Sequence, residues 1–154
     1  MTTLTEGNKA PDFSGKTQNG EEISLGKLKG KKVILYFYPK DNTPGCTAEA
    51  CNLRDNYTEL KEQGFEIFGI SKDSEKSHRN FIGKYDLPFD LITDPEKTIM
   101  KDYGVWGEKK MYGKVTEGVH RTTFIISEDG VIDKIIRKVD TKNHAQQILN
   151  ELNN

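Results

Sequence analysis

The stretch Tyr36-Phe-Tyr-Pro-Lys-Asp-Asn-Thr-Pro-Gly-Cys-Thr-Ala-Glu-Ala-Cys51 holds both cysteines of the chain, and the rest reads as support for it. The run Val33–Tyr38 is short, apolar and rich in β-branched and aromatic residues, and Pro39 closes it, which predicts a buried strand. Thr43-Pro44 reads as a helix start. Thr43 is the expected N-cap, and Pro44 takes the first helical position, where its missing N–H costs nothing. Cys46 then falls in the first helical turn, at the mouth of a strand-to-helix loop. Unpaired backbone N–H groups and the positive end of the helix dipole favour a thiolate there over a thiol. Gly45 lets backbone and substrate come close beside the sulfur. Cys46 is therefore a candidate nucleophile.

Working outward, strands and helices alternate. Ala10-Pro-Asp-Phe13 predicts an extended lead-in, since Pro11 biases Ala10 away from helix. Asn19-Gly20 marks a hairpin-type turn before a short strand around Ile23–Leu25. A helix is expected from about Pro44 to Gln63, with Gly64 as its C-cap. A strand follows at Phe65–Ile70, a helix at Ser74–Lys84 with Ser74 as cap, a short strand at Leu91-Ile92, and a short helix at Pro95–Asp102. Gly104–Gly118 reads as a glycine-dotted loop holding the single tryptophan, Trp106. Thr122–Ser127 and Val131–Val139 predict a hairpin around Glu128-Asp-Gly130, and Asn143–Leu152 a closing helix. Early alternation with a late hairpin predicts α/β layers around a mixed central sheet.

The composition bounds the function. The 154 residues are expected to form one domain, 1–154, with a core of its own. Charged residues make up 31% and the formal net charge is −1, which gives no reason to expect nucleic acid or an acidic membrane as partner. The Lys27–Lys32 cluster reads as a solvated turn. Met1-Thr-Thr-Leu-Thr-Glu-Gly lacks a basic region followed by an apolar one, so no secretory signal is expected. No apolar run approaches the ~20 residues of a membrane span. A cytoplasmic location follows as the expectation. Two cysteines in a reducing compartment favour catalysis or metal binding over a static disulfide. No glycine-rich phosphate loop occurs.

Helix geometry separates the two cysteines. At ~100° per residue, Cys46, Ala50, Leu53, Tyr57 and Leu60 share an apolar face. Cys51 falls with Thr47, Ala48, Asp55 and Thr58 on a more polar side. Five residues along an intact helix put their Cα atoms roughly 8.7 Å apart. A disulfide needs less than about 7 Å. If the two ever bond, the first turns of the helix must melt. Both could instead be small core residues, a common fate of free cysteine. Metal binding is disfavoured, because Cys-x4-Cys with His78, His120 and His144 far away lacks compact ligand spacing. Each histidine is expected on the surface or in a loop rather than as a ligand. The absence of Cys-x-x-Cys argues against a thioredoxin-type reductase. That class, and a redox-regulated chaperone or thiol sensor, stand as the alternatives.

Pro39-Lys-Asp-Asn-Thr43-Pro-Gly-Cys46 resembles the Pro-x-x-x-Thr-x-x-Cys pattern of peroxiredoxins. A second cysteine five positions on makes the chain most similar to the peroxiredoxin Q (bacterioferritin comigratory protein) subfamily. The likeness runs through Ala10-Pro-Asp-Phe13, Asp94-Pro95, Tyr103-Gly-Val-Trp-Gly-Glu-Lys-Lys-Met-Tyr-Gly113 and His120-Arg-Thr-Thr-Phe124. It implies a thioredoxin-like fold, peroxide reduction, and no metal or organic cofactor. Hydrogen peroxide or an organic hydroperoxide is the implied substrate, a thioredoxin-like dithiol protein the implied reductant, and a monomer the implied state. Cys46 resembles the peroxidatic cysteine and Cys51 the resolving one. Thr43 would hydrogen-bond the peroxide and the sulfur, Pro39 would shield the site from water, Arg121 would sit beside the thiolate, and Glu49 would orient Arg121. Asn52-Leu53 departs from the Gly-Phe of that pattern. Leu53 lies on the apolar face, so the departure bears on packing more than on chemistry.

Chemistry supports those assignments separately. A guanidinium stays charged at any working pH, so Arg121 would favour the thiolate without titrating itself. Thiolate attack on one peroxide oxygen drives charge onto the other, which calls for fixed donors: Arg121, the Thr43 hydroxyl and the N–H groups near Gly45 and Cys46. The product, a sulfenic acid, condenses with a nearby thiol such as Cys51. Read from the residues alone, Arg121 could equally form a surface salt bridge and Thr43 be a plain N-cap.

Overall fold

The Val33–Tyr38 run forms β3 (Lys32–Phe37) near the middle of the main sheet, in a computed structural model that describes residues 4–153. Residues 1–3, part of the stretch read for a leader, lie outside the described residues. Val33, Leu35 and Phe37 enter one hydrophobic layer, and Ile34, Tyr36 and Tyr38 enter the other. Being covered on both faces, β3 needs no polar alternation, which is why its sequence is a continuous apolar run.

β4 (Phe65–Ser71) lies parallel to β3, and β5 (Asp90–Thr93) parallel to β4. β8 (Thr122–Ile126) flanks β3 antiparallel and β9 (Ile132–Ile136) closes that edge. β1 (Ser14–Thr17) and β2 (Glu22–Ser24), joined through the Asn19-Gly20 turn, complete the order β2-β1-β5-β4-β3-β8-β9. Close packing between β3 and the helical layer depends on Gly69. A Cβ there would lie 2.7 Å from the Tyr36 ring and 2.8 Å from Leu91, so only glycine fits opposite Tyr36.

One face of the sheet is covered by α1 (Pro44–Asp55), α2 (Tyr57–Glu62), α3 (Glu75–Tyr85) and α5 (His144–Leu152), through Ala50, Leu53, Leu60, Phe81 and Ile148. The other face packs against α4 (Thr98–Asp102) and the Ala10–Phe13 lead-in, through Ile99, Met100, Tyr103 and Phe13. A mixed sheet between helices is the α/β layering expected from the alternation, and it matches the thioredoxin-like fold that the resemblance implies.

Four expectations need correction. The long helix from Pro44 breaks at Asn56 (φ −114°, ψ 14°) into α1 and α2, and Gly64 (φ 91°) ends the second as foreseen. The helix expected from Pro95 begins only at Thr98. The Asp94 carboxylate accepts the N–H groups of Ile99 (3.3 Å) and Met100 (3.0 Å), so residues 95–97 form the turn beneath that cap. The loop expected over Gly104–Gly118 is a hairpin, β6 (Trp106–Met111) and β7 (Lys114–Val119), turning at Tyr112-Gly113 with both φ positive. Residues 114–117 are exposed and only Val119, at the end of β7, is buried among the described side chains of these strands, so they carried no hydrophobic period, although Tyr-Gly between two runs of equal length is a turn signal. Finally, His78 and His144 are fully buried rather than surface residues, whereas His120 is exposed.

Candidate active site

β3 and α1 place the candidate nucleophile. Thr43 has the extended backbone of an N-cap (φ −102°, ψ 157°), and its carbonyl accepts the first helical bond from Thr47 (2.8 Å). Its hydroxyl does not cap the helix, however, and donates instead to the Lys40 carbonyl at 2.9 Å. In a helix that starts at Pro44, the N–H groups of Gly45 and Cys46 have no intrahelical acceptor. The sequence thus located the helix end correctly but misassigned the Thr43 hydroxyl, which the loop holds back from the capping position.

Arg121, just ahead of β8, reaches this helix end. Its Nη2 donates to Cys46 Sγ at 3.4 Å and its Nη1 to Glu49 Oε1 at 2.7 Å. Burial opposes the guanidinium charge, but Glu49 and Cys46 outweigh it and hold the Arg121 pKa above its ordinary value. The fit requires Gly45, where a Cβ would lie 3.2 Å from Arg121 Nη2. Cys46 is 2% exposed and Glu49 fully buried, whereas Cys51, Pro39 and Thr43 are half-buried. Both thiols are free and lie in α1. The sequence's six candidates thus divide: Cys46, Arg121 and Glu49 are in contact, Thr43 and Pro39 sit in the loop beside them, and Cys51 lies one and a half turns along the helix.

Three groups outside the candidates for the site surround this arrangement. Asp41 is buried in the Pro39–Thr43 loop. Its carboxylate meets His78 Nδ1 (2.7 Å), accepts from Ser77 Oγ (2.8 Å) and from the Tyr38 hydroxyl, and its backbone N–H donates to Asp73 (2.8 Å). This ties the loop to α3. His144 lies 3.5 Å from Glu49 Oε2 on the far side of α1. Asn52 donates to the Lys142 carbonyl (2.9 Å) and accepts from Ala145 N–H (2.8 Å), so it caps α5, whose own N-cap residue Asn143 makes no side-chain cap. The only sequence signal was indirect: Asn52 stands where the family pattern has glycine.

Burial raises the Glu49 pKa to about 7, although Arg121 pulls it down. Burial likewise lowers that of His144 to about 4. Lys109 of β6, half-buried near Arg121 and Cys46, is lowered by burial and by Arg121. A buried thiol against a fixed cation and a helix N-terminus can attack an electrophile and hold the negative charge of a leaving oxygen. Among the described residues, no group of three or more His, Cys, Asp or Glu is placed to hold a metal ion. A cleft of about 520 Å³ lined by Pro11, Leu25, Lys31 and Gly130 touches none of these groups, so chemistry rather than cavity size marks the site.

Residues 7–135 match the AhpC/TSA family. The chain is a peroxiredoxin of that family. Peroxiredoxins are thiol peroxidases, and here the buried Cys46 thiol meets the Arg121 guanidinium at a helix N-terminus. The bcp protein of Coxiella burnetii is 50% identical over 150 residues, which cover 97% of this peroxiredoxin and 99% of its relative. Peroxiredoxin Bcp of Escherichia coli K12 is 43% identical over 152 residues, 99% and 97% of the two chains. Among solved structures, a cysteine-to-serine mutant of Xylella fastidiosa PrxQ superimposes with a TM-score of 0.91 at 29% identity, covering 99% and 98% of the chains. The bacterioferritin comigratory protein of Xanthomonas campestris, described for alkyl peroxide reduction, gives 0.86 at 35% identity over 92% and 90%. Peroxide reduction with a thioredoxin-type reductant is thus the activity of this peroxiredoxin's family. Among the described residues, no helix is long and apolar enough to cross a membrane.

Proposed function

We propose that Cys46 is the peroxidatic cysteine and Cys51 the resolving one. The observation that carries this reading is the Arg121 fork, one arm on Cys46 Sγ at 3.4 Å and the other on Glu49 at 2.7 Å. A cation held in that way stabilises the thiolate without titrating and stays in place as charge moves.

The Cys46 thiolate attacks one oxygen of hydrogen peroxide or an organic hydroperoxide. An S–O bond forms as the O–O bond breaks, sulfur is oxidised, and the leaving oxygen departs as alkoxide or hydroxide, taking up a proton. Arg121, the Thr43 hydroxyl and the N–H groups of Gly45 and Cys46 surround the path of that charge, and Pro39 limits water. For the hydroxyl of Thr43 to reach the peroxide it must turn from the Lys40 carbonyl, a rotation about one side-chain bond. Glu49 orients Arg121.

The Cys51 thiolate then attacks the sulfenic sulfur, and hydroxide leaves as the disulfide forms. Both residues lie in α1, so the helix must unwind between them first. A thioredoxin-type dithiol protein supplies two electrons to reopen the bond. The remaining parts of the reading are one domain acting as a monomer in the cytoplasm, where free thiols are kept reduced.

Cys46→Ser is expected to abolish peroxide consumption. Cys51→Ser is expected to turn over once and accumulate sulfenic acid, which a dimedone adduct seen by mass spectrometry would reveal. Multiple turnovers by Cys46→Ser would overturn the reading.

A further inference from the structure

His144 contacts the peroxidase site but has no part in the reaction as derived above. It lies 98 positions after Cys46, it is fully buried, and its two ring nitrogens have different neighbours. Nδ1 is 2.9 Å from Gln147 Oε1. That oxygen also accepts the Asp140 backbone N–H at 2.7 Å, while Gln147 Nε2 donates to the Lys138 carbonyl at 2.9 Å. Two backbone groups therefore fix which end of the Gln147 amide is oxygen. Facing an acceptor, Nδ1 must carry the hydrogen.

In a neutral ring Nε2 is then a lone pair, and it accepts the Thr123 hydroxyl at 2.7 Å. The same lone pair faces Glu49 Oε2 at 3.5 Å. Oε2 is buried and has no hydrogen-bond partner among the described residues. Glu49 thus receives one charged donor, Arg121, and on its other oxygen meets a second acceptor.

We propose that His144 is a positioning residue of the peroxidase site: by presenting a bare ring nitrogen it denies Glu49 a second donor and leaves the Arg121 charge available to Cys46. A carboxylate supplied with two good donors is fully ionised, competes for the guanidinium and sets a negative charge behind the sulfur. A carboxyl starved of a second donor holds its proton longer, and Arg121 then acts mainly on Cys46. The raised Glu49 pKa and the lowered His144 pKa agree with this arrangement. The inference rests on Cys46 being the peroxidatic cysteine. The other titratable or charged groups facing the pair are Arg121 and Cys46, Tyr36 of β3, Asp140 ahead of α5, and Lys109 of β6 across Arg121.

Two measurements test it. In the reduced full-length protein, two-bond ¹H–¹⁵N NMR spectra of the imidazoles are expected to show His144 as the neutral Nδ1–H tautomer from pH 6 to 8. A proton on Nε2 in that range would overturn the proposal, and this measurement needs no variant. Separately, His144→Gln puts a donating amide where the bare nitrogen stood. In stopped-flow reactions with hydrogen peroxide, the pH of half-maximal rate is expected to rise by about half a unit or more, with the plateau rate retained. An unchanged midpoint in a folded His144→Gln protein would overturn it. If the wild type fails to consume peroxide, the peroxidatic reading fails instead, and the tautomer is unaffected.

Discussion

Glu49 is fully buried three residues after Cys46, bonded to Arg121 through one oxygen and facing His144 with the other. Burial disfavours its charged form more than Arg121 favours it, so its pKa rises from an ordinary 4.5 to about 7. A carboxyl raised in the folded state contributes fully below its unfolded pKa, and that contribution is lost as pH rises through the folded value. His144, held near 4 instead of 6.5, gives the opposite slope: stability falls as the pH drops from 6.5 towards 4. Glu49→Gln cannot ionise. Its stability relative to wild type is therefore expected to improve by on the order of 3 kcal/mol between about pH 4.5 and about pH 8, as urea unfolding would measure. A pH-independent difference would contradict the burial argument. At this scale the residues alone singled out Cys46, by its place at a helix start, whereas Arg121 and Glu49 became candidates only through the resemblance to peroxiredoxins. The sequence did not identify His144 or Asp41, because a histidine or aspartate looks the same in sequence whether solvated or buried.

α1 is where element-scale forces meet. Its start was legible from Thr43-Pro44, and its apolar face from the spacing of Cys46, Ala50 and Leu53. Its end was not. The helix pattern runs on through Leu60, but the chain breaks at Asn56, where the Asn56 amide donates to the Asn52 carbonyl at 2.9 Å in place of a continuing helical turn. Asn52 fastens this helix to α5 with both ends of its amide, so the departure from the family's glycine is a packing change, as Leu53's position suggested. Asn52→Gly loses two hydrogen bonds and gains backbone freedom in the unfolded chain, and is expected to cost about 2–3 kcal/mol. Asn143→Ala, at an N-cap whose side chain does not cap the helix and makes only an exposed bond to Asp140 at 3.2 Å, is expected to cost under about 0.5 kcal/mol in the same denaturation series. Equal losses for the two variants would remove Asn52 from the cap.

Across the whole molecule, the sheet order brings Arg121 to α1. β8 pairs antiparallel with β3, Phe37 opposite Thr122, so the residue before β8 arrives where β3 ends and the Pro39–Thr43 loop begins. Most of the cover on the Ile34–Tyr36 face of the same sheet comes from α2, α3, α5 and the later residues of α1, which unwinding of the first turns of α1 would leave in place. Oxidation to the Cys46–Cys51 disulfide is therefore expected to speed amide hydrogen exchange across roughly residues 44–51 by an order of magnitude or more, with protection in β3, β4 and β8 unchanged. Uniform protection in both redox states would show that the bond forms without unwinding, against the helix geometry.

Local sequence by itself determined β3, the start of α1, the place of Cys46 in its first turn, the Ser74 cap and the β8–β9 hairpin. Each depends on neighbours within a few residues, through steric period, missing N–H groups or turn chemistry. Only the tertiary structure decided that Arg121 divides its two arms between Cys46 and Glu49, that His78 fixes the Asp41 loop, and that His144 stands behind the site. Those contacts join residues 37 to 95 positions apart, and their energies depend on burial, which no local pattern encodes.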